Sequence, residues 1–478
     1  LIAGILISIG AQTFDGPHRP RFAGPAAEAF KMVPREVVAM TKQEIILANQ
    51  ECLFPSVFHY YQEPLVLTRA KHQFVWDADG NQYLDFFGGI LTISVGHCNP
   101  KVNAKVHAQL DQLQHVSTVF ATEPQASLAR KISSIAPGPG WKSFFTNSGT
   151  EANETAILTA RCYTGSTEII ALRHSYHGRS SLAMSLTANA AWRLGPPQAG
   201  IVYAHNAYCY RCPFGLQYPD CGVRCAWDVE ELIRTTTSGR IAGLIAEPIQ
   251  GVGGFITPPK EYFPIVAEIV RKYGGIFISD EVQTAWGRTG EKWWGIQHWG
   301  VSPDVITSAK GLANGLPIGL TSARPEVAAS LKGLTISTFG GNPVAAAAAG
   351  AVIELIEQEN LAATAAATGA YLRQRLEELQ QKHSLIGDVR GMGLMQAIEL
   401  VQDRESKTPA VSETLRLMEA ARQERILIGK GGLFGNVIRI SPPLNIATSD
   451  VDEFIGRLDA AFTRIGAPAS AGSAAAPA

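Results

Sequence analysis

The sequence predicts an α/β protein: a large domain on a mainly parallel seven-stranded sheet, followed by a smaller α/β C-terminal domain. Two observations predict it. Seven short apolar runs, at 143–146, 168–173, 201–204, 242–246, 275–279, 304–308 and 317–322, alternate with helix-spaced segments, the pattern of βαβ units. From about 336 the composition shifts to alanine-rich and amphipathic helical segments with only short strands between them. A chain of 478 residues is long enough to bury a sizeable core.

Taken in order, residues 1–40 are rich in Pro, Gly and Ala and read as an arm. Within it, Leu1 to Ile9 is apolar but too short to span a bilayer. It reads as an incomplete start or a docking strand in preference to a targeting remnant. Residues 41–99 are expected to pack with the small domain. They hold a helix from Thr41 to Glu51, a small antiparallel sheet from Pro64–Leu67 and His72–Trp76 with a turn at Asp79-Gly80-Asn81, and a glycine-punctuated loop from Phe86 to His97. Residues 100–335 form the large domain and 336–466 the small one. The small domain has helices from Pro343 to about Glu359, then at 361–383, 411–424 and 450–465, with strands within 386–400, 426–429 and 437–441. The tail, 467–478, contains only Ala, Pro, Ser and Gly and is expected to be disordered.

Composition excludes several classes. Apolar content is 46% and charged content 17%, as in a globular domain. A net charge of −1, from 41 basic and 42 acidic residues, leaves no electrostatic footprint for nucleic acid or an anionic membrane. Seven cysteines are too few and too unevenly placed for a disulfide scaffold. A reducing compartment is expected, the cytoplasm or a mitochondrial or other organellar matrix.

The chemistry gathers where apolar runs end. Val305-Ile306 leads through small residues to Lys310 and then to glycines. A lysine at the tip of a buried strand is costly unless its amine is neutral or bonded, and one use for such an amine is a Schiff base with an aldehyde cofactor. Thirty residues earlier, Ile276-Phe277-Ile278 ends in Asp280-Glu281. A carboxylate facing the same crevice would hold the nitrogen of a pyridine ring protonated, as pyridoxal phosphate requires. Phe144-Phe145-Thr146-Asn147-Ser148-Gly149-Thr150 reads as strand, tight turn and helix start. Free N–H groups there, with the hydroxyls of Ser148 and Thr150, suit a phosphate. Open sheets of this kind bind ligands beyond the carboxyl ends of their strands, where Ser148, Tyr176, His177, Glu247, Asp280 and Lys310 all fall.

These motifs resemble the class III aminotransferases. The resemblance rests on Asn147-Ser148-Gly149-Thr150-Glu151-Ala152-Asn153, Ser175-Tyr176-His177-Gly178, Glu247-Pro248-Ile249-Gln250-Gly251, Asp280-Glu281-Val282-Gln283-Thr284 and Thr338-Phe339-Gly340-Gly341-Asn342-Pro343, and spans about residues 50–465. Three further stretches resemble the alanine–glyoxylate type within that class: Tyr83 to Ile90 with Ser94 to Cys98, Ile386 to Met395, and Arg439-Ile440-Ser441-Pro442-Pro443. The resemblance implies fold type I and pyridoxal phosphate on Lys310, whose amine is then general base and acid. It implies Asp280 at the pyridine nitrogen, Gln283 near the ring's phenolic oxygen, and Tyr176 stacked on the ring. His177 is either in contact with the cofactor or a packed, hydrogen-bonded histidine. Ser148, Gly149 and Thr150 are expected at the phosphate, with Thr338 reaching it from the other subunit of a homodimer or dimer of dimers.

Arg439, in an apolar strand, is implied as a clamp for a substrate α-carboxylate, its planar fork matching two oxygens. Glu247 is implied as a switch that pairs with Arg439 when the reacting amine is distal and releases it when an α-carboxylate arrives. Ile90 borders the pocket and offers no charge to a distal amine. Arg288 reads as structural. The implied substrates are small amino acids and keto acids: alanine or β-alanine as donor, glyoxylate or pyruvate as acceptor. An ω-amine transaminase, an amino-acid racemase and a cofactor-binding protein without turnover are the alternatives. Cys209, Cys212, Cys221 and Cys225, spaced C-x2-C-x8-C-x3-C, suit a structural zinc knuckle; unligated thiols or facultative disulfides are its alternatives.

Overall fold

The computed structural model describes residues 40–466. The expected arm up to residue 39 and the tail at 467–478 lie outside the described residues. Met40–Phe54 belongs to a separate compact unit from Pro55 onward. In it, helix Lys42–Cys52 is closed by a capping box: the Thr41 hydroxyl accepts from Glu44 N at 3.3 Å, and the Glu44 carboxylate accepts from Thr41 N at 2.7 Å.

From Pro55 onward the architecture is set by one seven-stranded sheet. Its order is Lys142–Thr146, Gly319–Ala323, Val305–Ser308, Ile276–Asp280, Gly243–Ala246, Ile169–Leu172, Ile201–Ala204. All pairings are parallel except those of Gly319–Ala323, which runs against both neighbours. The four central strands from Val305–Ser308 to Ile169–Leu172 are buried at every position, as expected of strands covered by helices on both faces. The sequence runs fall on these strands to within two residues. Close spacing selects glycine at Gly243, where a Cβ would sit 2.4 Å from the carbonyl oxygen of Ile276 on the neighbouring strand.

Two smaller sheets flank this core. One is antiparallel throughout: Ile386–Met392, Met395–Leu400, Val437–Ile440, Gly429–Gly431. The other is N-terminal: the run expected at Pro64–Leu67 is displaced to Leu67–Lys71, the one at His72–Trp76 forms Phe74–Asp77, and a third strand, Gln82–Asp85, adds to them. A strand from the far end of the chain, Ile426–Leu427, completes it by pairing parallel to Gln82–Asp85. The helices Pro343–Gln358, Leu361–Lys382, Val411–Gln423 and Thr448–Gly466 lie where helical spacing places them. Phe86 stacks on Phe454 of the last helix with ring centroids 4.0 Å apart, tying the N-terminal loop to the C-terminal helix.

Gly243→Ala forces a methyl group into a neighbouring strand's backbone and should cost about 1–3 kcal/mol. A denaturant midpoint unchanged by this substitution would contradict the strand spacing.

Candidate active site

The strand ends converge on a cavity of about 180 Å³ whose lining includes Thr150, Tyr176, His177, Asp280, Gln283 and Lys310. Asp280 is the last residue of its strand and is 2% exposed. Its Oδ2 accepts from Asn153 Nδ2 at 2.8 Å and lies 2.7 Å from His177 Nδ1; its Oδ1 accepts from Val282 N at 3.1 Å. An ionised carboxylate only accepts, so the proton of this contact sits on Nδ1. The His177 Nε2 is buried without a partner. Asn153 is fixed in turn, donating to His177 O at 2.8 Å and accepting from Thr307 Oγ1 at 2.6 Å.

Lys310 follows its strand by two residues and opens a 3-10 turn with φ of 40°. Burial lowers the pKa of its amine below the ordinary value of 10.5, against the opposing pull of Asp280 and Glu247. The turn is stitched to the Phe86–His97 loop by Asn314, which accepts from Val95 N at 3.0 Å and donates to Gly96 O at 2.9 Å. Gly149 and Thr150, at the start of helix Gly149–Thr164, line the same cavity. Gly178 packs over Thr150 so closely that a Cβ would lie 2.5 Å from its hydroxyl.

Glu247 is 4% exposed and held by backbone: Oε1 accepts from Tyr176 N at 2.9 Å, Oε2 from Gly251 N at 2.8 Å. Burial pushes its carboxyl above the ordinary range, the nearby Asp280 charge adds to the push, and His177 with the two N–H groups opposes it. Arg439 is 4% exposed in strand Val437–Ile440. Its Nε donates to Lys430 O at 3.1 Å, while Nη1 is buried without a partner. Its guanidinium lies 5.3 Å from the Phe87 ring and 5.9 Å from the Phe255 ring. Among the described residues no carboxylate pairs with it. From Phe87 an aromatic series runs through Tyr60, Phe58 and Trp192 to Tyr176, with successive centroids 5.3–6.3 Å apart.

Most of the expected groups therefore meet, while Ser148 and Ile90 are placed differently. The Ser148 hydroxyl is used as a helix cap, accepting from Glu151 N at 3.2 Å, and does not line the cavity. Thr338 is exposed and lines a separate pocket with Thr118 and Gln125. Ile90 lies outside the Lys310 cavity, 43% exposed, on a turn where Gly88, Gly89, Ile90 and Leu91 all take left-handed φ of 56°, 56°, 64° and 58°. Arg288 is structural, donating from Nη1 to Leu394 O and Pro442 O.

The zinc knuckle needs correction. The four cysteines line one pocket, but among the described residues no three His, Cys, Asp or Glu side chains group so as to hold a metal ion. Burial, then repulsion among the four, pushes the Cys225 thiol up to about 12. Asn153, Val282 and Phe255 are site residues that sequence reasoning missed. Asn153 was within reach: it is four residues from Gly149, one turn along the same helix face.

The chemistry of this lining fits pyridoxal phosphate. A buried acid can face a ring nitrogen, Lys310 offers an amine of lowered pKa, and a helix start with the Thr150 hydroxyl offers phosphate donors. The orphaned Gln283 Oε1 and Arg439 Nη1 leave polar capacity for a bound molecule.

A family model described as Aminotransferase class-III matches residues 58–462. The chain is 41% identical to the Arabidopsis thaliana protein named alanine–glyoxylate aminotransferase 2 homolog 2, mitochondrial, over 91% of each chain. It is 38% identical to a leucine/methionine racemase of Thermococcus litoralis, over 89% of this chain and 96% of the relative. A solved amine transaminase from an uncultivated Pseudomonas species, in a PLP-bound form, superposes with a TM-score of 0.79 at 33% identity, covering 84% of this chain and 95% of that one.

The lowered pKa of Lys310 has a direct consequence. Reductive trapping of its amine by a small aldehyde should rise with pH through a midpoint below 10.5, because the nucleophile is the neutral amine. A midpoint at or above 10.5, read by peptide mass spectrometry, would contradict the burial argument.

Proposed function

The chain belongs to the class III aminotransferases, and from that premise we propose that it moves the amino group of alanine, or of a similar donor such as β-alanine, to glyoxylate or pyruvate. The reaction is ping-pong on pyridoxal phosphate, the keto product leaving before the acceptor enters. The observation that carries this reading is Arg439: a buried guanidinium with an unpartnered Nη1, close enough to Lys310 to act on its amine. Such a cation is costly unless a carboxylate arrives to pair with it, and alanine, glyoxylate and pyruvate all bring one.

The cofactor, when bound, supplies a sink for the electron pair left at the donor carbon. Asp280, oriented by His177 and Asn153, would hold a proton on the ring nitrogen. Lys310 would hold the cofactor's aldehyde group through Nζ, and its amine would serve as the base for the proton on the donor carbon. Tyr176 and Val282 offer apolar cover for a ring, and Gly149 and Thr150 donors for the phosphate. Glu247, held on backbone N–H groups, leaves Arg439 free for an α-carboxylate; released, it can neutralise Arg439 when the amine is distal. Thr338, away from the Lys310 cavity in its own chain and exposed, is positioned to serve a partner's phosphate site in a homodimer. The domains are read as divided near residues 99/100 and 335/336. Among the described residues no helix is long and apolar enough to cross a membrane. The mitochondrial relative supports placement in that matrix.

The racemase relative gives a second reading some weight. Racemisation needs an acid–base group on each ring face. Lys310 supplies one, and Tyr176 is the candidate for the other. Burial raises the Tyr176 phenol above 10, which makes it a poor base at neutral pH and favours transfer.

The test is the visible spectrum of the purified holoenzyme. Alanine should bleach the band due to the Lys310-linked cofactor and glyoxylate should restore it. Racemisation of a single-enantiomer amino acid without keto acid would favour the second reading. Lys310→Ala should lose both the band and turnover. Arg439→Ala should raise KM for glyoxylate roughly tenfold to hundredfold, the worth of a charge-assisted hydrogen bond, and leave a simple aldehyde acceptor much less affected. An equal effect on both acceptors would remove Arg439 as the carboxylate receptor.

A further inference from the structure

The segment Gly251–Gly254 is a strap between the two halves of the site. At its start, Gly251 N donates to Glu247 Oε2 at 2.8 Å. A Cβ on Gly251 would lie 2.2 Å from Gln283 Oε1, so the strap also lies against the cavity wall. In its middle, Val252 O accepts from Gly432 N at 2.9 Å, beside the strand that carries Arg439. At its end, Gly254 O accepts from Arg390 Nε at 2.8 Å. Gly254 has φ of +102°, and a Cβ there would lie 3.0 Å from Val437 and 3.2 Å from Arg390 Nη2.

Arg390 is itself anchored. Its Nη1 donates to Glu399 Oε2 at 2.8 Å and to Asp388 Oδ2 at 2.6 Å. Glu399 is 0% exposed and also accepts from Tyr208 OH and from Arg211 Nε. The Arg390 guanidinium lies 5.0 Å from the Tyr208 ring. A buried, multiply bonded network of this kind is stiff and fixes what is attached to it. The planar fork lets Arg390 serve Glu399 and Gly254 O at once, which a lysine cannot do.

We propose that Arg390 is a positioning residue for acceptor choice: by holding Gly254 O it fixes the strap, keeps Gly251 N–H on the Glu247 carboxylate, and so keeps Glu247 off Arg439. Loosening the strap removes one of Glu247's two backbone donors. Glu247 then swings to Arg439 and neutralises it, and carboxylate-bearing acceptors lose their receptor while simple aldehydes do not. The inference rests on the reading of Arg439 as the carboxylate receptor.

The test is a cycle of Arg390→Lys, Glu247→Gln and the double variant in the holoenzyme. Arg390→Lys keeps a cation for Glu399 and gives up the bond to Gly254. It should raise KM for glyoxylate about tenfold relative to a simple aldehyde. In the Glu247→Gln background, where residue 247 no longer carries a charge, the same substitution should raise it less than twofold. Hydrogen exchange is the readout independent of turnover: peptides covering 250–255 should exchange about tenfold faster in Arg390→Lys. Tyr208→Phe, which touches Glu399 but not the strap, is the structural control and should leave the acceptor ratio as in the wild type. Gly254→Ala displaces the same carbonyl while keeping every charged group of the ion network, and replaces Arg390→Lys if that variant does not fold. An equal rise in KM for both acceptors, or the same rise with Glu247→Gln, overturns the proposal. If Arg439→Ala itself fails to separate glyoxylate from the aldehyde, it is the receptor reading that has failed.

Discussion

The structure depends on keeping the Asp280 carboxylate buried and charged at the end of a strand that offers it little water. Ile276–Asp280 is buried at every position, so its terminal carboxylate is satisfied from neighbouring elements: His177 after one strand, Asn153 on the helix after another, and its own backbone at Val282. Each bond fixes a second feature of the site. Asn153 requires helix Gly149–Thr164 to lie across the strand ends, which sets its first turn on the cavity wall. His177 requires the Ser175–Gly178 turn to fold inward, which brings Tyr176 N–H to Glu247. The acid and the phosphate-type cradle are thus placed by one hydrogen-bond network.

Arg439 poses the opposite problem, a buried cation without an internal anion. It is made tolerable by two aromatic faces, Phe87 and Phe255, and one carbonyl, Lys430 O. None of these neutralises it. The Glu247 carboxylate, which like Arg439 acts on the Lys310 amine, is tied down by two backbone N–H groups. Lys310 responds to both the unpaired guanidinium and the restrained carboxylate, and on the proposed reading this pair discriminates among substrates by where they carry charge.

The parts legible in the sequence are those set by local pattern. The seven strands of the large sheet could be read because buried parallel strands are short apolar runs, and the groups at their ends followed. The parts that were not legible depend on contacts distant in sequence. The short strand at Ile426–Leu427 could be read, but its partner could not: it pairs parallel to Gln82–Asp85, far away in sequence. Ser148 has the right residue type for a phosphate ligand, but its hydroxyl is taken by Glu151 N, a competition that spacing does not reveal. The four cysteines share a pocket as their spacing suggested, yet among the described residues they do not group so as to hold a metal ion, which spacing alone does not reveal.

The turn Gly88–Leu91 shows how the two halves of the site are held in register. Left-handed backbone costs roughly 1–2 kcal/mol per non-glycine residue, and Ile90 and Leu91 both bear it. Asp85 offsets the cost by accepting from Phe87 N and Gly88 N, each at 2.9 Å, with His97 Nε2 at 2.8 Å on its other oxygen. Leu91 adds burial at 2% exposure. The turn then meets the strand end after Arg439, where Ser441 N donates to Phe86 O at 2.7 Å and a Cβ on Gly88 would lie 2.7 Å from Ser441 O. On its other side the loop meets the Lys310 turn, where a Cβ on Gly311 would lie 2.4 Å from Ser94 Oγ. A relaxed turn in the same place would be easier to fold, but it would let these two contacts vary independently. Strain held by several bonds keeps the Lys310 turn and the Arg439 strand end in register, and on the proposed reading that register sets which carboxylate-bearing substrates fit.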